Sequence, residues 1–246
     1  MTNTRMHGLQ KVSVNLGDTF QDYFVSRARQ HVYDSYADIP MLKLPESLRV
    51  YDHLIWQSNA NVVVEIGCLY GGSTLWFRDR LESFSRYKSH REYLVIAVDS
   101  DIGLAKESIA KLGRRAFESI VFIEHDIRKQ GLLDKLLEHL PKMARPLIVE
   151  DSAHTYETTL ESLKQIASLV QKGGYFIVED GYLDGPLREA FKPDELEYNG
   201  IKFGGMTKAI TDWLMTSQGQ KFKIRDDLEF YGLSGMPNGI LERVID

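Results

Sequence analysis

The residues able to do chemistry recur behind short apolar runs. Glu65-Ile66-Gly67 closes the first run and Asp99-Ser100-Asp101 the second. His125-Asp126 follows the third, Glu150-Asp151 the fourth and Glu179-Asp180-Gly181 the fifth. One acid in such a place is ordinary. Acids behind five successive runs describe a rim of carboxylates around one crevice. Residues 65–74 read Glu-Ile-Gly-Cys-Leu-Tyr-Gly-Gly-Ser-Thr, and the glycines at 67, 71 and 72 let the backbone pass close to a ligand. The dinucleotide fingerprint wants glycine two places after the first; Leu69 stands there, so the loop is a poor pyrophosphate cradle. An acid before the turn suits the positively charged end of a ligand better than a phosphate. Asp99 sits where a carboxylate can accept both hydroxyls of a ribose, each bond being worth about 1.5–3 kcal/mol. The plainer alternatives are a turn that only reverses the chain and an Asp99 that only caps a helix.

The second constellation is Glu150-Asp151-Ser152-Ala153-His154 with Glu179-Asp180. Crowded carboxylates cost free energy unless something neutralises them. A hard divalent cation such as Mg²⁺ takes oxygen ligands and keeps some waters, so it answers that need. His154, three residues after Asp151, reads as a general base, a further metal ligand or an ordinary structural histidine. The plainer alternative is an acidic rim with no metal.

The runs that carry these residues are 62–66, 93–98, 119–123, 146–150 and 175–178. Helix-like stretches lie between them near 74–84, 103–112, 132–140 and 156–170, with another near 207–215. Alternation of this kind predicts an α/β fold, a mostly parallel sheet flanked by helices. Strands buried on both faces read as continuous apolar runs, and these do. Ligands of such sheets bind at the carboxyl ends of the strands, near the topological switch point. The tail, 222–244, reads as strands around a Gly-rich loop that close one sheet edge as a hairpin. Residues 1–60 differ in style. Phe20, Phe24, Ala28 and His31 recur at helical spacing, as do Leu48, Tyr51, Leu54 and Ile55, with Pro40 and Pro45 bracketing a loop. The expected organisation is a helical N-terminal extension, 1–60, serving self-association or capping a substrate, and a Rossmann-like domain, 61–246. A homo-oligomer is expected. The long loop 182–205, with Gly185, Pro186, Pro193, Gly200, Gly204 and Gly205, reads as a lid or a subunit contact.

Composition narrows the function classes. At 246 residues the chain suits one sizeable α/β domain. A net charge of −5 without a dense Lys/Arg run argues against a nucleic-acid partner. No uncharged apolar run approaches bilayer length, so no membrane partner is expected. Cys68 is the only cysteine, which rules out an intrachain disulfide, and the polar start, 1–15, lacks the apolar core of a signal peptide. The expected location is the cytoplasm.

Three of these motifs carry a resemblance. Val64-Glu65-Ile66-Gly67 through Gly71-Gly72-Ser73, then residues 146–154, then Gly174-Tyr175-Phe176-Ile177-Val178-Glu179-Asp180, resemble the cephalosporin hydroxylase/rhamnosyl O-methyltransferase family. The resemblance covers roughly residues 45 to 245. It implies a class I methyltransferase fold, S-adenosylmethionine as cofactor, Mg²⁺, and methyl transfer to a hydroxyl of a saccharide or other small-molecule acceptor. It further implies that Asp151, Glu179 and Asp180 hold the metal, with His154 and Asp151 as the catalytic pair. Glu65, Gly67, Tyr70, Gly71, Ser73, Asp99 and Asp126 are the expected cofactor contacts. One departure is Ser152, where the family often shows a second Asp. No His-x-Asp/Glu iron motif is present, so oxygen chemistry is not expected. Two rival readings remain: a nicotinamide-dependent oxidoreductase or epimerase, and a non-catalytic S-adenosylmethionine-binding protein.

Overall fold

The computed structural model describes residues 19–88, 92–229 and 235–246. The polar start 1–15 and part of the Gly-rich loop in the tail lie outside them. Seven strands form the central sheet: β1 (Val62–Ile66), β2 (Leu94–Asp99), β3 (Ile120–Glu124), β4 (Pro146–Glu150), β5 (Tyr175–Val178), β6 (Phe222–Ile224) and β7 (Ile240–Arg243). Their order is β6-β7-β5-β4-β1-β2-β3. The first five are parallel, and β7 pairs antiparallel with β5 and with β6. The tail is thus a hairpin, as the sequence predicts, but its second strand lies inside and its first at the edge.

The helices are α1 (Phe20–Gln30), α2 (Pro45–Gln57), α3 (Gly72–Ser85), α4 (Gly103–Ala110), α5 (Leu132–Leu137), α6 (Tyr156–Ile166) and α7 (Met206–Leu214). β2 and β3 each end one residue later than their apolar runs suggest, because Asp99 and Glu124 still pair across the ladder. A main-chain ladder does not depend on which side chains its residues carry. All of β1, β4 and β5 is buried. Val62, Val64 and Ile66 pack with Ile148 and Leu163 on one face, and Val63, Val149 and Ile177 pack with Tyr51 and Phe77 on the other.

The N-terminal segment is part of this core. Phe24, Ala28 and Leu44 join the first face, while Val50, Tyr51, Leu54 and Ile55 join the second. Between α1 and α2 the chain makes a tight hairpin, Ser35–Tyr36 against Ile39–Pro40, with Ala37 and Asp38 both at positive φ. A two-residue turn of this kind requires that. The strand then crosses the start of α3 so closely that a Cβ on Gly72 would lie 2.3 Å from the Pro40 carbonyl oxygen.

Candidate active site

The strand order reverses between β1 and β4, and the loops that leave these two strands touch. A Cβ on Gly67, whose φ is 91°, would lie 2.1 Å from the Asp151 carbonyl oxygen. Leu69 and Gly71 also have positive φ, at 42° and 84°, as the loop turns into α3. Asp99 fastens the loop from the next strand: its Oδ2 accepts the amides of Cys68 at 2.9 Å and Leu69 at 3.1 Å. Its Oδ1 accepts the Asp101 amide at 3.2 Å.

The other expected cofactor contacts fall in different surroundings. Glu65 is fully buried beneath the loop and accepts the hydroxyls of Thr74 and Ser73. Burial pushes its carboxyl up to about 7. Ser73 is buried too, and Tyr70 is half-buried against Ile39, Leu75 and Ile109. Asp126 is held in a two-pronged pair by Arg128, with Nε and Nη2 each 2.9 Å from its oxygens. Cys68 packs with Ala97 and Ala105, and burial drives its thiol well above the usual range.

The acids behind β4 and β5 separate into two groups. Asp151, His154 and Asp180 offer ligand atoms that all lie within 4.8 Å of one another. His154 Nε2 is 3.3 Å from Asp180 Oδ2, and Nδ1 is 3.9 Å from Asp151 Oδ1. His154 and Asp180 both adopt left-handed backbone, with φ of 51° and 57°. For non-glycine residues that costs on the order of 1–3 kcal/mol each and recurs at functional sites. Burial and the charge of Glu179 push Asp180 up to about 7. Glu179 belongs to the second group. Its Oε1 accepts Lys43 Nζ at 2.7 Å and also the Tyr51 hydroxyl. Lys43 reaches Asp151 Oδ2 as well. Burial alone would lower the pKa of Lys43, but Asp151, Glu179 and Glu65 reverse that and keep it cationic. Glu150 turns back on its own loop and accepts the Ser152 amide at 3.0 Å.

Segment 182–205 closes over His154. The Phe203 ring meets the imidazole edge-on at 5.3 Å, and the Gly204 amide donates to the His154 carbonyl at 2.7 Å. Arg29 on α1 ties this segment down through Glu195 at 2.8 Å and the Ala190 carbonyl at 2.8 Å. His31, just past α1, has its pKa lowered by burial, against the opposing bond to the Ala28 carbonyl. Lys43 and Phe203 are therefore site residues that the motifs do not reveal. Lys43 does leave a trace, as a lone cation in the apolar stretch Met41-Leu42-Lys43-Leu44. Nothing local marks Phe203.

Comparison with known proteins agrees with this fold. The rhamnosyl O-methyltransferase of Mycobacterium bovis (strain BCG / Pasteur 1173P2) is 22% identical over 167 residues, 66% of this chain. The match spans 63% of that relative's length. Among solved structures, CmcI with Mg and SAM superposes with a TM-score of 0.60 at 22% identity, covering 95% of this chain and 82% of that one. A TDP-rhamnose 3'-O-methyltransferase of calicheamicin biosynthesis gives 0.52 at 16% identity, covering 94% and 97%. The fold is that of class I S-adenosylmethionine methyltransferases. A family model for Rhamnosyl O-methyltransferase/CmcI matches residues 29–244, from the last turn of α1 to the residue after β7, and the chain belongs to that family.

Proposed function

We propose that this protein is an enzyme that transfers the methyl group of S-adenosylmethionine to a hydroxyl of a saccharide acceptor, with Mg²⁺ or a similar divalent ion bound. The observation that carries this reading is the contact between the two loops at the switch point. Gly67 touches the backbone of Asp151, so the cofactor loop and the Asp151–His154–Asp180 group form one site. The donor set fits a hard ion. Mg²⁺ usually takes one or two carboxylates and fills its remaining positions with waters and substrate oxygen, so Asp151 and Asp180 suffice. When bound, the ion polarises the acceptor oxygen and S-adenosylmethionine presents the methyl group as an electrophile.

The chain's own residues do the rest. The backbone of 67–71 lines the cofactor's path, and Asp99 holds that loop while it offers the ribose hydroxyls a carboxylate. Asp126 and Tyr70 flank the adenosine end, and Glu65 with Ser73 supports the loop from below. His154 takes the proton of the acceptor hydroxyl. Its ring is fixed from one side by Asp180 and from the other by Phe203. Such a base contributes about 10²–10⁴-fold. Phe203 covers His154 from this side.

The names of the relatives support a rhamnosyl or TDP-sugar acceptor. Exposed Phe20, Val32 and Tyr33 on the N-terminal segment support a homo-oligomer, which sedimentation velocity would test. No helix among the described residues is long and apolar enough to cross a membrane, and a cytoplasmic location is part of this reading. The test of function is calorimetric titration with S-adenosylhomocysteine, followed by transfer of labelled methyl to rhamnosyl and TDP-sugar acceptors with and without chelator. Micromolar binding, on the order of −8 kcal/mol, is expected. No binding by the native protein would end the reading. Preferential binding of NAD would move it to the oxidoreductase class, which Leu69 in the loop already disfavours.

A further inference from the structure

Three carboxylates, Asp151, Glu179 and Asp180, crowd one end of the sheet, and the chain supplies a cation of its own among them. The Lys43 side chain is 1% exposed. It divides the acids: Asp151 gives Oδ2 to Lys43 and keeps Oδ1 toward His154. Glu179 gives Oε1 to both Lys43 and Tyr51. That oxygen is committed to Lys43 and Tyr51, and Glu179 falls outside the group of Asp151, His154 and Asp180, whose ligand atoms lie within 4.8 Å of one another.

Lys43 is held in place from both sides. Its amide donates to the Met41 carbonyl at 3.0 Å, and the Met41 amide donates to the Asp34 carbonyl at 3.0 Å. Leu44 next to it is buried and is the N-cap of α2, whose first turn begins with Pro45. Pro40 is pressed against Gly72. The backbone that carries Lys43 is thus fixed, and its ammonium is held among the acids by Asp151 and Glu179.

The structure assigns to Lys43 the role of resident counter-cation and positioning residue of the acid cluster. It holds Glu179 away from the divalent ion and fixes Asp151 so that its free oxygen, with Asp180, faces the ion. A divalent ion then balances the charges of the three carboxylates and the one ammonium. The metal half of this inference rests on the metal reading above; the counter-cation half does not. The consequence is that residues 39–44, which precede every strand of the sheet, complete the site at the far ends of β4 and β5.

The experiment compares E179Q, D180N, K43M, K43R and K43M/E179Q in the full chain. Mg²⁺ affinity is read by calorimetry, and thermal unfolding is followed in chelator. A carboxylate behind the ligands should matter less than a ligand. E179Q should therefore lose less than about tenfold in Mg²⁺ affinity and D180N about a hundredfold or more. In chelator, K43M should unfold at a lower temperature than the wild type. K43R, which keeps the charge, should recover part of that loss. K43M/E179Q, which removes the stranded carboxylate, should recover most of it. Equal losses of Mg²⁺ affinity in E179Q and D180N would overturn the assignment of Glu179 and make Lys43 a mere placeholder. Full stability of K43M in chelator would overturn the counter-cation role, as would a K43M defect that E179Q leaves unchanged. If the wild type binds no divalent ion, the metal reading falls, and the unfolding series alone decides the role of Lys43.

Discussion

At the scale of single residues, burial sets the chemistry. Glu65 is fully buried and its carboxyl is pushed up to about 7, above the ordinary carboxylate value of 4.5. Between those values the folded protein holds a proton that the unfolded chain has released, so this group favours folding below about pH 4.5 and loses that contribution as pH rises toward 7. Asp180, also raised to about 7, acts in the same direction. Cofactor-free protein is expected to unfold at a lower temperature at pH 8 than at pH 5.5. Glu65→Gln should flatten that dependence and stabilise the pH 8 state by on the order of 1–3 kcal/mol. An equal slope in wild type and variant, followed by circular dichroism, would refute it. His154→Ala should keep Mg²⁺ affinity while turnover falls about 10²-fold, with partial recovery at high pH. Loss of Mg²⁺ affinity would make His154 a ligand instead. Cys68→Ala should retain cofactor binding and turnover, because a buried thiol with a raised pKa is a packing group. The strand-end acids and His154 are visible in the sequence because their spacing from the apolar runs marks them. Their division of labour is not, because it depends on which oxygen faces Lys43.

At the scale of elements, the switch point forces two loops together and leaves no room for a side chain. Gly67→Ala would place a Cβ 2.1 Å from the Asp151 carbonyl oxygen, in backbone that disfavours it. It is expected to destabilise the fold by several kcal/mol, on the order of 2–4, and to abolish S-adenosylhomocysteine binding. Segment 182–205 acts on the other side of the site. Phe203→Ala removes the ring packed against His154. The acceptor KM should rise about tenfold or more while the cofactor Kd stays within about twofold. A matching change in both would mean that the segment shapes the whole pocket. The Gly- and Pro-rich composition of this loop suggests a lid. Only the Phe203 and Gly204 contacts say what it covers.

At the scale of the whole molecule, the described part of the N-terminal segment packs into the same cores as the sheet. Phe24, Ala28, Leu44, Tyr51 and Leu54 lie in the same two cores as the strands. A fragment of residues 61–246 would expose these faces and lose Lys43. It is expected to show no cooperative unfolding transition, whereas the full chain unfolds in one. A folded fragment with a sharp transition would show that residues 1–60 are a separate unit. In our reading this segment caps the site from one side as segment 182–205 does from the other, and Arg29 links the two.

The sequence by itself determines the layered α/β plan, because short continuous apolar runs that alternate with amphipathic stretches fit strands buried on both faces and the helices that cover them. It also determines that acids gather at one end of the sheet, since parallel strands present their carboxyl ends together. The tertiary structure alone decides which of those acids remain available. Lys43, Asp151 and Glu179 are far apart along the chain and meet only when residues 39–44 are laid across α3. Glu65 is sealed beneath its loop. Charge pairing and burial are properties of neighbours in space, and local spacing carries no record of them.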